Sequence, residues 1–351
     1  MTGSNHEKSP GTILLTGANG SLGSAIVSSI VSTPELAAHH GLYTVRDAEA
    51  APALRSALGA APRHCHDVKS LDLADLAAVR RTAAAINARV ASGDIPRIRA
   101  LILNAGYLEF TTQAWTDDGF DMSFASNYLG HWLLTLLLLQ SMDAEAGRVV
   151  VIGSESHDPY NAKSKAAFSH DRWTLFMHDT TEHIAKGTWS CTSEDPTHHC
   201  GFRRYGASKF CQVMMIGELQ RRLDADAALG NICVLGVDPG SMPGNLTRRG
   251  PWIIRVLLFQ LIMPWMAPLL AWLRPNGPLR TVKRAAPDIL AAAFASVPPL
   301  GERPKGLYLY GSRLEETTAE AKDLGKREVL WRDTVGYTQL QEGETALRNW
   351  Q

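Results

Sequence analysis

The sequence has few cysteines, no net charge and no signal-peptide segment at its start, and each absence argues against a class of protein. Only five of the 351 residues are cysteine, an odd number without regular spacing, which favours a reducing compartment over a disulfide scaffold. The 35 basic and 35 acidic residues cancel, so the charge predicts no nucleic-acid partner. Residues 1–10 are polar and lack the apolar core of a signal peptide. We therefore expect a cytoplasmic protein.

Apolar residues make up 45% of the chain, an ordinary share for a length that can bury a large core. Short apolar runs alternate with helical patterns, which is typical of an α/β fold with a doubly wound parallel sheet and helices on both faces. We predict a single domain over residues 1–351. The predicted strands are residues 12–15, 42–45, 63–68, 100–103, 148–152, 232–235 and 307–310. Helices are predicted at residues 25–31, 74–90, 119–142, from 205 to about 223, 289–295, and in a polar segment ending near Tyr337.

A glycine-rich turn follows the first strand directly and leads into a helix. A strand, a glycine turn and a helix start place backbone N–H groups and the helix dipole against a pyrophosphate. We therefore predict a nucleotide site here, and the alternative is an ordinary strand-to-helix turn. The candidate residues of this turn are Gly17, Asn19, Ser21, Leu22 and Gly23.

The end of the second strand favours NADP over NAD. An acidic residue at this position holds the ribose 2′-hydroxyl of NAD, whereas an arginine suits the 2′-phosphate of NADP. Here Val45 and Arg46 occupy the position, with Asp47 next to them. Farther on, Asp72 precedes the predicted helix over residues 74–90, where it caps the helix or contacts the adenine amine.

The segment Tyr205-Gly206-Ala207-Ser208-Lys209 combines a phenol and an ammonium four residues apart. On a helix such a pair shares one face, about 5–6 Å apart. The ammonium favours the phenolate and so lowers the pKa of the phenol. The pair then exchanges protons near neutral pH, as the interconversion of a carbonyl and an alcohol requires. Any solvated helix face can carry the same spacing, so the upstream motifs decide.

Several short motifs follow one another along the chain: Thr16-Gly17 to Gly23, Asn104-Ala105-Gly106, Asn127, Ser154, Tyr205 with Lys209, and Asp238-Pro239-Gly240. In this order they resemble the short-chain dehydrogenase/reductase family. The segments 127–131 and 153–157 look most like its retinol-dehydrogenase and WW-domain-oxidoreductase branch, with the fungal relatives of that branch. The resemblance implies a Rossmann fold and an NADP-dependent oxidoreductase for a hydrophobic alcohol and its ketone or aldehyde.

The resemblance also implies a role for each residue of a catalytic tetrad. Tyr205 exchanges the hydroxyl proton, while Lys209 lowers its pKa and holds the nicotinamide ribose. Ser154 hydrogen-bonds the carbonyl oxygen, and Asn127 holds a water that links Lys209 to solvent. Further expected cofactor contacts come from Asn104, Ala105, Gly106, Pro239 and Gly240.

The chain departs from the family pattern in ways that leave two rival functions open. Ser21 stands where a second glycine is usual, so the glycine spacing is that of the epimerase-type branch. Leu103 replaces an expected asparagine, and the threonine expected near Gly244 is missing. One alternative is a redox-neutral epimerase, isomerase or dehydratase. The other is a catalytically silent NADP-binding partner.

One segment is longer than the family pattern. Residues 155–204 separate Ser154 from Tyr205, where a short connection is expected. Their aromatic residues include Phe168, Trp173, Phe176 and Trp189, which predicts a folded insertion beside the active site.

A second segment, residues 251–274, is apolar, and the prolines within it argue against a membrane span. The resemblance places substrate-covering helices here, so we expect a substrate lid within residues 241–282. Contact with a membrane surface is the second interpretation of this lid. We expect insertion and lid to form a mobile apolar roof, and a homodimer remains open.

Two groups of histidine and cysteine residues do not predict a metal site. Residues 64–66 alternate between the two faces of a strand and cannot all reach one ion. The second group lacks the paired spacing of a zinc site and consists of Cys191, His198, His199 and Cys200.

Overall fold

The computed structural model describes residues 9–59, 64–242, 244, 246 and 280–351. The strands in this part of the chain are β1 (Thr12–Thr16), β2 (His40–Val45), β3 (His66–Ser70), β4 (Ile98–Leu103), β5 (Arg148–Ile152), β6 (Cys233–Asp238), β7 (Tyr308–Tyr310) and β8 (Arg313–Leu314). They form one sheet in the order β3-β2-β1-β4-β5-β6-β7-β8. Pairs from β3 to β7 are parallel, and β8 is antiparallel to β7. This order confirms the predicted doubly wound α/β sheet.

Two details of the sheet differ from the prediction. The eighth strand has only two residues, both exposed, so no apolar run marks it in the sequence. The third strand begins at His66 instead of residue 63 and continues to Ser70. It is an edge strand with no fully buried residue, so the sequence gives no burial pattern to fix its ends.

Helices cover both faces of the sheet. Within the described residues they are α1 (Ser21–Ser32), α2 (Pro34–Ala37), α3 (Pro52–Leu58), α4 (Leu76–Ala91), α5 (Met122–Phe124), α6 (Gly130–Leu138), α7 (Glu182–Ala185), α8 (His198–Asp224), α9 (Val282–Phe294), α10 (Ala319–Lys322) and α11 (Leu324–Thr338). Leu14 belongs to one apolar core, with Trp132 and Phe210, whereas its neighbours Ile13 and Leu15 belong to the other. Successive strand residues point to opposite faces, so a continuous apolar strand serves two cores.

The helix predicted over residues 119–142 is divided in the structure. A π-helical turn, Ala125–Leu129, separates α5 from α6, and a 3₁₀ turn follows at Leu139–Ser141. All nine residues of α6 are buried, which explains why its sequence is apolar on every side. The π-helical turn contains Asn127, and such turns often occur at functional sites.

The insertion is folded, and four of its aromatic rings are part of the main core. Phe168, Trp173, Phe176 and Trp189 are each no more than 8% exposed. Phe176 stacks on Phe210 of α8, with ring centroids 4.6 Å apart. These rings therefore fill the protein interior and do not form an open apolar surface, contrary to the expected mobile roof. The other part of that roof, residues 251–274, lies outside the described residues.

Two arginines at the start of α8 connect the insertion to the rest of the fold. Arg203 donates to the carbonyl oxygen of Ala167 at 2.9 Å. Arg204 donates to the carbonyl oxygen of Ser190 at 2.8 Å, and its Nε lies 3.1 Å from the buried carboxylate of Asp121. The helix begins at His198, so residues 198–204 of the predicted insertion already belong to α8. None of the helices in the described ranges is long and apolar enough to span a membrane.

We predict that the insertion contributes to global stability. Phe176→Ala should lower the free energy of unfolding by about 3–5 kcal/mol, because the substitution leaves a cavity against Phe210. Tyr160→Ala in the same insertion is the control, since Tyr160 is 71% exposed. Urea unfolding measures both. Equal, small losses for the two variants would show that the insertion is only loosely attached.

Candidate active site

The predicted site residues lie at one edge of the sheet. The glycine turn follows β1, Arg46 follows β2 and Asp72 follows β3. Asn104-Ala105-Gly106 follows β4, Ser154 follows β5, and Pro239-Gly240 follows β6. Because β1 to β6 are parallel, all these segments leave their strands at the same carboxyl edge. The structure therefore brings together segments that are far apart in the sequence.

Close backbone approach requires the glycines of the first turn. Gly17 has a φ of +68°, and a Cβ there would lie 2.7 Å from the Cα of Ala105. A Cβ on Gly23 would lie 2.3 Å from the carbonyl oxygen of Gly17. No side chain therefore stands between this turn and the loop after β4. The start of α1 directly follows the turn at Ser21, which is the arrangement that binds a phosphate anion.

Hydrogen bonds through the Thr16 hydroxyl fix this turn to the loop after β4. Its oxygen accepts from the N–H groups of Asn104 and Ala105 at 2.9 and 3.0 Å. The Asn104 side chain donates back to the carbonyl oxygen of Thr16 at 2.8 Å. The same hydroxyl lies 2.9 Å from Nε2 of His131. Asn104 and Ala105 therefore position the first turn by direct contact with β1.

His131 is neutral and has a defined tautomer. Its Nδ1 donates to the carbonyl oxygen of Asn127 at 2.8 Å, so Nδ1 carries the proton and Nε2 accepts from the Thr16 hydroxyl. Burial lowers the pKa of His131 to about 4. No function was predicted for His131 from the sequence. Its spacing of four residues from Asn127 is the sequence feature that could have indicated this contact.

The Asn127 side chain joins the loop after β4 to α8. Its Oδ1 accepts from the N–H of Tyr107 at 2.7 Å. Its Nδ2 donates to the carbonyl oxygen of Tyr107 at 2.9 Å and to Oγ of Ser208 at 2.8 Å. Ser208 in turn donates to the carbonyl oxygen of Tyr205 at 2.7 Å. Asn127 is therefore a positioning residue for the helix that carries Tyr205.

Lys209 is held away from the Tyr205 hydroxyl in this structure. Its Nζ donates to the carbonyl oxygen of Ile152 and to Oε1 of Gln212, both at 2.8 Å. Nζ lies 5.6 Å from the centroid of the Tyr205 ring. Burial raises the pKa of Tyr205, and only the Ser154 hydroxyl beside it lowers the pKa. From the sequence, Lys209 was expected to lower this pKa. In the structure its ammonium is paired with Ile152 and Gln212 and does not contact the phenol oxygen.

The Ser154 hydroxyl is oriented to donate a hydrogen bond. Its oxygen accepts from the N–H of Ser156 at 3.3 Å and from the Ser156 hydroxyl at 3.0 Å. Since both contacts use the oxygen as acceptor, the Ser154 proton is available for another oxygen. The preceding Gly153 has to be a glycine, because a Cβ there would lie 2.1 Å from the Tyr308 hydroxyl.

Two of the predicted cofactor contacts, Asn19 and Asp72, make hydrogen bonds to neighbouring backbone groups. Asn19 uses its side-chain oxygen to accept from the N–H groups of Ala53 and Leu54 at 3.0 and 3.2 Å, so it caps α3. Asp72 is exposed and closes a turn to Ala74 at 3.0 Å. The N-cap of α4 is Asp75, so the predicted capping role of Asp72 was wrong. The helix begins two residues later than predicted, and Asp75 is the carboxylate next to it.

Comparison with known proteins agrees with this geometry. The family profile described as short chain dehydrogenase matches residues 11–168. Short-chain dehydrogenase iccH of Talaromyces variabilis is 46% identical over 97% of this chain and 99% of its own. The chain belongs to the short-chain dehydrogenase/reductase family. Retinol dehydrogenase 14 of Mus musculus is 26% identical over 91% of this chain and 83% of its own, which supports the predicted branch.

Solved structures show the same fold at low identity. The NADPH-bound carbonyl reductase from chicken fatty liver aligns with a TM-score of 0.58 at 15% identity. The alignment covers 88% of this chain and 100% of that protein. This similarity confirms the Rossmann-type sheet of the family.

A buried carboxyl group lies at the end of β6, in the Asp238-Pro239-Gly240 motif, and no electrostatic role was predicted for it from the sequence. Asp238 is 3% exposed, and its Oδ1 accepts from the N–H of Gly240 at 2.8 Å. Burial, reinforced by the nearby Glu155, raises the pKa of Asp238 to about 7. Burial lowers the pKa of Lys209 to about 8, and Asp238 opposes that shift. The sequence signal was a carboxylate directly before Pro239-Gly240 at a strand end.

Glu155, the residue after Ser154, joins the start of the insertion to the loop after β6. Its Oε1 accepts from the Ser241 hydroxyl at 3.1 Å, and its Oε2 pairs with Lys163. Lys163 also lies 3.5 Å from the Tyr310 hydroxyl. The first residues of the insertion therefore lie beside the active-site edge, while its four buried aromatic rings lie in the core.

The raised pKa of Asp238 predicts a pH-dependent stability difference. An acid whose pKa is higher in the folded than in the unfolded state loses stabilising free energy as pH rises from about 4 to about 7. Asp238→Asn removes this loss. The free energy of unfolding of the variant minus that of the wild type should therefore rise by about 2–4 kcal/mol between about pH 4 and about pH 8. Urea unfolding at both pH values tests this. The same difference at both would contradict the assignment.

Proposed function

We propose that this protein is an NADP(H)-dependent oxidoreductase that interconverts a hydrophobic alcohol and its ketone or aldehyde. The observation that carries the proposal is that Ser154 and Tyr205 lie side by side at the carboxyl edge of the sheet, the edge at which the glycine turn follows β1. Ser154 has a hydroxyl proton available for a carbonyl oxygen. Tyr205 lies beside it with a pKa kept high by burial, so it holds its proton until a substrate oxygen accepts it.

The chain fits a nicotinamide dinucleotide in two places. The turn around Gly17 approaches Ala105 without an intervening side chain, which leaves backbone N–H groups at the start of α1 for a pyrophosphate. Arg46 is exposed directly after β2 and makes no hydrogen bond or ion pair with any described residue. Its guanidinium is therefore available for a 2′-phosphate. Bound there, the cofactor supplies or accepts the hydride.

The residues of this chain supply orientation and proton transfer. Ser154 donates to the substrate oxygen and stabilises the negative charge that develops on it. Tyr205 gives its proton to that oxygen in reduction and takes it back in oxidation. Lys209 is buried and cationic near this centre, and it stabilises the phenolate left behind. Asn127 maintains the position of the tyrosine helix through Ser208.

An apolar wall beside Tyr205 supports a hydrophobic substrate. Leu108 and Phe110 form a small cluster with Tyr205, and they belong to the loop that follows β4. An aliphatic or aromatic group next to the reacting carbon would pack there and exclude water. Carbonyl reductase from chicken fatty liver binds NADPH, which agrees with this choice of cofactor.

A panel of hydrophobic ketones and aldehydes tests the function directly. NADPH absorbance should fall with at least one carbonyl compound, and the matching alcohol should reduce NADP⁺. Substrate conversion without net consumption of NADPH would support the epimerase, isomerase or dehydratase alternative. NADPH binding without conversion of any compound would support a catalytically silent partner.

Tyr205→Phe should abolish turnover while NADPH binding persists, because only the transferable proton is removed. The expected loss is about 10²–10⁴-fold, which is the usual contribution of a general acid. Tyr160→Phe changes an exposed hydroxyl of the insertion and serves as the control. A Tyr205→Phe variant within about tenfold of the wild type, roughly 1.4 kcal/mol, would remove Tyr205 from its assigned role.

Arg46→Ala should weaken NADPH binding by about tenfold or more, because a charge-assisted contact to phosphate is lost. NADH affinity should change little, since NADH lacks that phosphate. The control is Arg55→Ala, because Arg55 is a nearby arginine that donates to the carbonyl oxygen of Glu49 at 2.8 Å. Fluorescence titration with both nucleotides gives the affinities. Equal affinity of the wild type for NADPH and NADH would reject the assignment.

A further inference from the structure

A thiol, an imidazole and a carboxylate lie in line at the other edge of the sheet. The Sγ of Cys65 is 3.3 Å from Nδ1 of His40. Nε2 of the same ring is 2.9 Å from Oδ2 of Asp67. His40 begins β2, and Cys65 directly precedes β3. This cluster therefore lies at the amino ends of strands whose carboxyl ends form the candidate active site.

The pairing of β2 with β3 explains this arrangement. The N–H of Gly41 donates to the carbonyl oxygen of Cys65 at 2.9 Å, which fixes the two segments side by side. Residues 65 and 67 point to one face, where they meet His40. Residues 64 and 66 point to the other, where the rings of His64 and His66 stack with centroids 5.7 Å apart. The alternation predicted from the sequence thus separates the histidine pair from the thiol.

The carboxylate of this cluster is held in its charged form. Nη1 of Arg89 donates to Oδ2 of Asp67 at 2.7 Å, and Arg89 also pairs with Asp94. Burial opposes ionisation, but hydrogen bonds from Arg89 and His40 hold the pKa of Asp67 below its ordinary value. A charged Asp67 accepts from Nε2 of the imidazole and so orients its Nδ1 toward the thiol. His40 is only 7% exposed, so its orientation is fixed by these two contacts.

Cys65 is exposed, whereas Cys191 is partly exposed and the other three cysteines are buried. All five cysteines of the chain are free thiols, and Cys65 is the only one that is exposed. A nucleophile within hydrogen-bond reach of a base, with the base oriented by a third group, is the arrangement of an activated nucleophile. Nucleophilic attack by a cysteine requires the thiolate, and His40 is placed to accept the thiol proton.

We propose that Cys65, His40 and Asp67 form a thiol-exchange site that reacts with low-molecular-weight disulfides. The Cys65 thiol transfers its proton to His40, and the thiolate attacks one sulfur of the disulfide. A new bond forms between that sulfur and Cys65 as the original S–S bond breaks. The other half leaves as a thiolate and takes the proton from His40. Cys65 is oxidised, one half of the disulfide is reduced, and no other reactant is needed.

The surroundings of His40 favour transfer of the thiol proton to its ring. The titratable and charged groups that face His40 are Cys65 and Asp67, with Arg89 of α4 behind Asp67 and His64 across the strand. Burial lowers the pKa of His64, so that ring adds no charge near neutral pH. The Asp67 carboxylate is therefore the nearest counter-charge to the proton that the imidazole accepts from Cys65.

Site-resolved labelling of the intact wild-type protein tests the proposal. The probe is bis(hydroxyethyl) disulfide, a neutral molecule, and peptide mass spectrometry measures Cys65 and Cys191 separately. Cys191 is the internal control, because it is partly exposed and its Sγ lies 3.0 Å from the Ser193 hydroxyl, without an imidazole among its described hydrogen-bond partners. At one pH near 7 the Cys65 rate should exceed the Cys191 rate by about tenfold or more, because Cys65 has a base within hydrogen-bond reach. Equal rates for the two cysteines would overturn the proposal.

Two variants test the roles of the partners. At the same pH, His40→Gln should lower the Cys65 rate by about tenfold or more and leave the Cys191 rate unchanged, and Asp67→Asn should lower the Cys65 rate by a smaller factor. An unchanged Cys65 rate in His40→Gln would overturn the assignment of the base. Where a variant does not fold, judged by its circular dichroism, the wild-type comparison alone decides. NADPH affinity should be the same before and after labelling, because the cluster lies at the edge opposite Arg46.

Discussion

A continuous series of hydrogen bonds connects the first strand to the tyrosine helix, and the geometry of the site depends on it. The Thr16 hydroxyl donates to His131, and His131 donates to the carbonyl oxygen of Asn127. The Asn127 side chain donates to Ser208, which donates to the carbonyl oxygen of Tyr205. The Asn127 amide also donates to the carbonyl oxygen of Tyr107, so rotating it would leave more than one buried group unpaired. The glycine turn and the tyrosine therefore keep a fixed relation.

The charges of the site are set by burial more than by contact between the tyrosine and the lysine. Lys209 and Asp238 are both almost fully buried, and each favours the charged form of the other. Tyr205 is buried too, and its high pKa keeps it protonated. With this proton in place, Tyr205 can donate to a substrate oxygen that enters the site, as the proposed reaction requires.

The sequence was sufficient to predict the sheet and the glycine turn after β1, because each follows from a local pattern, whereas the catalytic roles of the tetrad stay a prediction. Buried strands such as β5 are continuous apolar runs, and the tetrad residues belong to short motifs. The edge strand β3 and the two-residue β8 were not predictable in detail, since neither is buried. The environment of Lys209 and Asp238 was not predictable either. It depends on Gln212, Glu155 and the packed insertion, which only the folded chain brings to one place.

The central claim, hydride transfer from NADPH to a hydrophobic carbonyl compound, is tested most directly with isotope. NADPH carrying deuterium at the transferable C4 position is incubated with the protein and hydrophobic ketones or aldehydes, and the alcohols are analysed by mass spectrometry. The account predicts one deuterium on the carbinol carbon of the product. Product without deuterium, or no deuterated alcohol from any compound of the panel, would contradict it.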